Sequence, residues 1–316
     1  MKVFACMILL ACFAAAEEPV ATFSIVGHDP QTGELGVAVA SRFFAVGSVV
    51  PWAKAGVGAV ATQAFANTTY GPKGLELLAQ GKSPEQVIAL LTAADDHPER
   101  RQVGIVAADG RSATYTGTGC NAWAGGRSGP HYACQGNILV GEAVTAAMEK
   151  AFLETKGTLA DRLYAALLAG EKAGGDARGK QSAALLVVRE GAGYGGYTDR
   201  AIDIRVDDHR EPLRELGRLL KLAQLNYAWN DAWTLFTKGK SREALPFMER
   251  AAQIDPKHPE VQYDLAVIRL AAGDPTGALQ ALEQAVKLNP KLKAQARVDD
   301  DLAALRAHPR FKDIIK

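Results

Sequence analysis

The sequence predicts a mixed α+β domain followed by an all-α domain of helical repeats. Three observations lead to this prediction: an apolar start to the chain, strand-like and helix-like segments in alternating blocks, and a regular repeat in the last third. We therefore expect a leader over 1–21, the mixed domain over 22–222 and the repeat domain over 223–316.

The composition is that of an ordinary globular protein. The chain has 316 residues, of which 48% are hydrophobic and 22% charged, and this length is enough for two domains. The formal net charge is +1, and no dense run of Lys and Arg occurs. Nucleic acid is therefore not an expected partner.

The leader has the pattern of a secretory signal. It reads MKVFACMILLACFAAA and is followed by Glu17, Glu18 and Pro19. Such a pattern predicts cleavage and export to the periplasm or beyond, although a buried N-terminal strand or helix is the alternative. The letters LLAC also resemble a lipoprotein box with Cys12 as the acylated residue, but the short apolar stretch before it favours simple cleavage. No second long apolar stretch occurs, so no membrane span is expected.

The first half of the mixed domain predicts two hairpins and two helices. Apolar runs flank the turn residues 29–33, and a second pair of runs flanks Asp109 and Gly110. VGAVATQA is a further strand. Helices are expected over GPKGLELLAQG and SPEQVIALLTAA, the second with Ser83 as N-cap and Gln86 completing a capping box.

The second half predicts two more helices and two more strands. EAVTAAMEKAFLE and LADRLYAALLAGEKA have helical periodicity, while SAALLVV and AIDIRV are strand-like. Strands, helices, strands, helices and strands in this order favour antiparallel sheets packed with helices over a doubly wound parallel sheet.

Cysteine and histidine positions limit crosslinks and metals. Cys120 and Cys134 each lie in a strand-like run, so a hairpin could bring them into a disulfide in an oxidising compartment. Two reduced, buried cysteines are the alternative. The histidines are scattered without ligand spacing, so no metal site is predicted.

After residue 223 the sequence repeats with a period of 34. Gly239 recurs as Gly273, and the same offset relates further small residues, acids and prolines, namely Ala244, Glu249, Ala251 and Pro256 to Ala278, Glu283, Ala285 and Pro290. The pattern resembles the tetratricopeptide repeat over about 225–292. The resemblance implies a protein or peptide partner; the alternative is an appendage that packs on the first domain or pairs two protomers into a homo-oligomer.

The mixed domain in turn resembles a known family. The segments TFSIVGHDPQTGELGVAVASR, GVGAVATQAFAN, WAGG, QGNILVG, GGDARGKQSAALLVV and DIRVDDH lie within residues 22–209 and are similar to the family called domain of unknown function 1028. That family looks like a member of the N-terminal nucleophile (Ntn) hydrolases, which implies a four-layer αββα sandwich.

The resemblance implies a nucleophile at Thr22, where the TFSIV segment begins. Ntn hydrolases use the freed α-amino group of the nucleophile as general base, and such an amine titrates at about 7.7 to 8. In the encoded chain Thr22 is internal, so activity requires cleavage after Ala21 by a signal peptidase or by autoproteolysis. Thr22 as an ordinary β-branched strand residue is the alternative.

Six further residues are weaker candidates for this site. Arg42 and Lys54 could each hold a cation near Thr22. The alternative for Arg42 is an ion pair with a surface carboxylate, and the alternative for Lys54 is an ordinary solvated loop lysine. The amides of Gln63 and Asn137 could bind an oxyanion or orient a substrate, or merely cap turns.

Asp176 and Ser182 lie close together in the sequence. Asp176 could fix the amine or the arginine, with a surface loop acid as the alternative, and Ser182 could relay a proton or bind substrate. Two functions follow. The first is an exported amidohydrolase without a cofactor, and the second is a non-catalytic scaffold whose repeats bind protein.

Overall fold

The fold is described for residues 22–316 from a computed structural model. The signal-peptide prediction over 1–21 and the lipoprotein alternative at Cys12 lie outside these residues. None of the helices between residues 22 and 316 combines the length and the apolarity that crossing a membrane requires.

Two antiparallel sheets form the first part of the structure. Their strands are β1 (Thr22–His28), β2 (Leu35–Ser41), β3 (Pro51–Lys54), β4 (Gly58–Ala64), β5 (Arg101–Ala107), β6 (Ser112–Thr116), β7 (Gly125–Gly129), β8 (Tyr132–Asn137), β9 (Ser182–Val188) and β10 (Arg200–Val206). The larger sheet has the order β10-β9-β2-β1-β8-β7 and the smaller sheet the order β3-β4-β5-β6. The predicted hairpins are β1 with β2 and β5 with β6, and both are confirmed.

Helices pack on the sheets and then continue alone to the end of the chain. They are α1 (Tyr70–Ala79), α2 (Pro84–Ala93), α3 (Ala143–Glu154), α4 (Leu159–Lys172), α5 (Pro212–Thr237), α6 (Ser241–Ile254), α7 (Pro259–Ala271), α8 (Pro275–Leu288), α9 (Leu292–Val298) and α10 (Pro309–Ile314). At the start of α2 the Ser83 hydroxyl accepts the amide of Gln86, and the Gln86 side chain accepts the amide of Ser83. The predicted capping box is confirmed.

Successive strand residues point to opposite faces, so each sheet buries apolar side chains on both of its sides. The mixed domain therefore has three apolar cores. Val37 and Val39 of the larger sheet meet Ala61 and Val106 of the smaller sheet between the two sheets. Phe23 and neighbours on the other face of the larger sheet pack with α3 and α4, and the outer face of the smaller sheet packs with α1 and α2. The expected mixed α/β architecture of antiparallel sheets and helices is therefore confirmed.

The candidate disulfide between Cys120 and Cys134 is not formed. Cys120 and Cys134 are both free. Cys120 lies in the loop after β6 rather than in a strand, and its thiol donates to the carbonyl of Arg101 in the smaller sheet. Cys134 lies in β8 of the larger sheet, and its thiol donates to the carbonyl of Thr145 in α3. The two thiols thus bond to different parts of the fold and are both reduced, with Cys134 buried and Cys120 half-buried.

The helical repeats are confirmed in the last third of the chain. Helices α6 and α8 end at Ile254 and Leu288, just before Pro256 and Pro290. Small residues on their inner faces are fully buried, which allows close helix packing; these are Ala244, Ala251, Ala278 and Ala285. Helix α5 belongs to both parts, because its first half packs in the core of the larger sheet and its second half packs in the core of the repeats.

Candidate functional site

Thr22 begins β1, which lies between β2 and β8 in the larger sheet. Its register partners are Ser41 at the end of β2 and Asn137 at the end of β8. The Thr22 hydroxyl donates to the Ser41 hydroxyl over 3.2 Å, and Thr22 is fully buried. Ser182 pairs with Ser41 in the next strand, so four polar residues form one row across the sheet.

Gln63 brings the smaller sheet into contact with this row. Its Nε2 donates to the carbonyl oxygen of Thr22 over 3.2 Å and to Oε1 of Gln102 over 2.8 Å. The Asn137 side chain donates to the same Oε1 of Gln102 over 3.0 Å. The structure therefore brings the predicted residues Gln63 and Asn137 together with Thr22. The two N–H groups of Gln63 are thus engaged, so an oxyanion would have to replace one of their bonds, whereas one bond to Gln102 uses one of the two N–H groups of Asn137.

Sequence reasoning missed Ser24, Ser41, Gln102 and Gln135. Ser24 donates to Oε1 of Gln63 over 2.5 Å, and Gln135 Nε2 donates to Ser24 Oγ over 2.6 Å. All four are buried strand residues. An amide within a largely apolar strand, such as Gln102 in RQVGIVA, was the available signal, since a polar side chain there must find a partner when it faces a core.

Asp176 is buried rather than a surface acid. Its Oδ2 accepts the backbone amide of Arg42 over 2.9 Å and the guanidinium of Arg178 over 3.0 Å. Its backbone forms an isolated antiparallel bridge with Leu139. The carboxylate therefore fixes the backbone that immediately follows Ser41, which places Asp176 at the end of the sheet where Thr22 lies.

Arg42 and Ser182 support the turn after β2. The exposed Arg42 side chain donates to the carbonyl of Arg178 over 2.8 Å, so it pairs with neither of the alternatives expected from sequence. The Ser182 hydroxyl donates to the carbonyl of Phe43 over 2.5 Å and accepts the amide of Val46 over 3.1 Å. In this state Ser182 orders backbone and has no proton path to Thr22 through those two bonds.

Lys54 does not belong to this site, which corrects the prediction of a cation beside Thr22. It ends β3, is exposed, and pairs with Gly58 at the start of β4. Gln63, the residue of β4 that reaches Thr22, lies five residues further on. At 3.3 Å per residue the separation along β4 is about 17 Å.

A small cavity of about 70 Å³ lies beside the row, lined by Phe23, Ser41 and Asp176 among others. A shallower groove of about 800 Å³ next to it is lined by Arg42, Lys180 and neighbouring polar residues. Across residues 22–316, no three His, Cys, Asp or Glu side chains converge in the way that metal ligands would.

The comparisons with known proteins fit this division of the chain. A model of a family of unknown function, DUF1028, matches residues 22–216, and a tetratricopeptide repeat model matches residues 235–308. The crystal structure of a Silicibacter pomeroyi protein described under the same family is similar, with 32% identity, a TM-score of 0.59, and coverage of 65% of this chain and 89% of that one. No curated protein matches the sequence. The chain therefore belongs to the DUF1028 family and carries tetratricopeptide-like repeats after the family domain.

Proposed function

We propose that the protein is an exported hydrolase of the Ntn type that cleaves an amide or peptide bond through Thr22. The observation that carries the proposal is the position of Thr22 in an inner strand, in register between Ser41 and Asn137 and with the Gln63 amide on its carbonyl. Two sheets with helices packed on their outer faces are consistent with the αββα sandwich of that superfamily.

The general base follows from the chemistry of the neighbours. Ser41, Gln63 and Asn137 surround Thr22 with neutral side chains that cannot take a proton near pH 7. A threonine hydroxyl alone is a weak nucleophile at that pH, so it needs an adjacent base. The α-amino group of Thr22 would supply it once the residues before Thr22 are removed.

In the proposed reaction the Thr22 hydroxyl attacks the substrate carbonyl and transfers its proton to the α-amine. The amine then protonates the leaving nitrogen, which leaves an acyl ester on Thr22, and water hydrolyses that ester. An amide N–H from Gln63 or Asn137 would stabilise the oxyanion. Asp176 would position the Ser41–Arg42 backbone rather than transfer a proton.

The test is the N-terminus of the mature protein recovered from a host that exports it, for the unchanged chain and for Thr22→Ala. The proposal expects a chain that begins at Thr22, and amide hydrolysis that Thr22→Ala abolishes but Thr22→Ser partly retains. Ser48→Ala, an exposed serine outside the site, is the matched control. A mature chain that begins at Glu17 or at an acylated Cys12 would remove the base and overturn the proposal.

A second function, a non-catalytic scaffold whose repeats bind a protein partner, is favoured by one observation. Thr22 is fully buried, and its hydroxyl and carbonyl are both engaged in hydrogen bonds. The repeats then carry the function, which agrees with the interaction role that tetratricopeptide-like repeats suggest. An intact N-terminus together with partner capture by the repeats would favour this reading.

A further inference from the structure

A cavity of about 610 Å³ lies between α5 and the turn around Tyr194. Its walls are mainly aromatic, with two amides one helical turn apart; the residues are Tyr194, Tyr227, Trp229, Trp233, Asn226 and Asn230. Tyr194 comes from the family domain, and the others come from the part of α5 between the two matched regions. The cavity is separate from the Thr22 site.

Both tryptophans are held by one carboxylate. The indole Nε1 atoms of Trp229 and Trp233 each donate to Oδ2 of Asp264 in α7, both over 2.7 Å. The two rings are therefore fixed on α5, and a carboxylate stands at their N–H edges. An indole N–H bonded to a carboxylate makes the ring a better partner for a cation, because the carboxylate adds negative potential to that of the ring face.

The charge of Asp264 is not balanced by a cation in the part of the chain that the structure describes. Its donors there are the two neutral indoles, and burial raises the pKa of its carboxyl group. Asp264 does not line the cavity itself, so its negative potential reaches a ligand there through the two indole rings.

The arginines of the neighbouring strands already have carboxylate partners. Arg189 lies 3.9 Å from Glu34, and Arg200 and Arg205 lie 2.5 and 3.3 Å from Asp203. These arginines therefore already face carboxylates of the family domain.

We infer that the aromatic cavity binds an organic cation of the alkylammonium or methylated ammonium class. Aromatic rings around a desolvated cation attract it through their negative faces, and quaternary ammonium groups are the cations best suited to such rings. The cavity is larger than a single ammonium head, so the group is carried by a larger molecule, whose polar parts the amides of Asn226 and Asn230 can hold. The ring of Tyr194 is 79% exposed, which leaves it accessible to such a ligand.

The test is a titration of the full chain with choline and with 3,3-dimethylbutan-1-ol, a neutral molecule of the same shape, followed by calorimetry and tryptophan fluorescence. Saturable binding of choline with much weaker binding of the alcohol is the expected result. Equal binding of both would show a merely apolar cavity and would overturn the inference. Binding of the neutral sugar cellobiose without binding of choline would overturn it in favour of a glycan site.

Two variants separate the charge from the fold. Asp264→Asn keeps an oxygen acceptor for the indoles and removes the charge, so choline affinity should fall by about tenfold. Asp313→Asn, which removes an exposed carboxylate of α10, is the control and should bind as the unchanged chain does. Tyr194→Ala removes an exposed ring without a burial cost and should also weaken choline binding. Unchanged affinity in both Asp264→Asn and Tyr194→Ala would refute the assignment.

Discussion

The Ser24 hydroxyl of the larger sheet donates a hydrogen bond of 2.5 Å to Oε1 of Gln63 in the smaller sheet. This bond belongs to a buried network of neutral side chains that joins the two sheets beside Thr22, with Gln102 and Gln135 as further members. A buried polar group that loses its partner costs free energy, so the network fixes which residues of the two sheets face each other.

Gln63→Ala should destabilise the protein by about 2 to 4 kcal/mol, because it removes the acceptor of the Ser24 hydroxyl and one donor to Gln102, and creates a cavity. Urea unfolding followed by far-UV circular dichroism measures the change. Gln80→Ala, which truncates an exposed amide after α1, is the control and should change stability little. A cost for Gln63→Ala as small as that of the control would show that the network does not stabilise the fold.

Gly104→Ala tests the close approach of the two sheets. A Cβ at Gly104 in β5 would overlap the side-chain amide of Gln135 in β8. We expect a loss of about 1 to 3 kcal/mol in the free energy of unfolding, the usual cost of overpacking. Gly141→Ala is the control, since nothing lies within 4 Å of its added Cβ. Equal stability of the two variants would contradict the proposed contact.

Acid should weaken the protein through His28. Its Nδ1 lies 3.0 Å from Nδ1 of His131, and burial, followed by the charge of His131, lowers the pKa of His28. The folded state disfavours the charged His28 ring, so folding is favoured while this ring is neutral. The corresponding contribution to the free energy of unfolding is present above about pH 6.5, the unfolded pKa, and is lost as the pH falls below it. The unchanged chain should therefore lose more stability between pH 7.5 and 5.5 than His28→Gln does. The exposed His97→Gln serves as control, and identical pH profiles for His28→Gln and the unchanged chain would exclude His28 as the source.

Ser83→Ala should cost about 1 kcal/mol, the usual value for loss of an N-cap. The partner change Gln86→Ala removes the second half of the same capping box. Because the two side chains form one unit, the double variant should lose less than the sum of the single losses. Chemical denaturation of the four chains gives the coupling, and strict additivity would argue against a shared cap.

Local patterns predicted the parts of the fold whose causes are local. The β1–β2 hairpin follows from two apolar runs around 29–33, the start of α2 follows from Ser83 and Gln86, and the repeats follow from a fixed period. Two strands were missed. β3 is a four-residue strand that starts at Pro51, and β7 reads GGRSG, which has low strand propensity and becomes a strand only by pairing with β8.

The candidate site was only partly predictable, since its geometry depends on contacts between distant strands. Gln63 and Asn137 were recognised as amides among small residues, and the structure brings both to Thr22. Gln102 and Gln135 were missed because a strand residue that faces another sheet has the same local pattern as one that faces solvent. Lys54 was placed at the site because it follows β2 closely in the sequence. In the structure β3 pairs with the start of β4, which carries Lys54 away from the end of β2.

Helix α5 works as a spacer of fixed length. Pro212 at its start lines the small cavity beside Ser41, and Ala228 lies at the level of the aromatic cavity. At 1.5 Å per residue these two positions are about 24 Å apart along a continuous helix. A molecule that occupied both the aromatic cavity and the small cavity would therefore have to extend along about that length of helix. The two proposed sites together would then favour molecules long enough to span them.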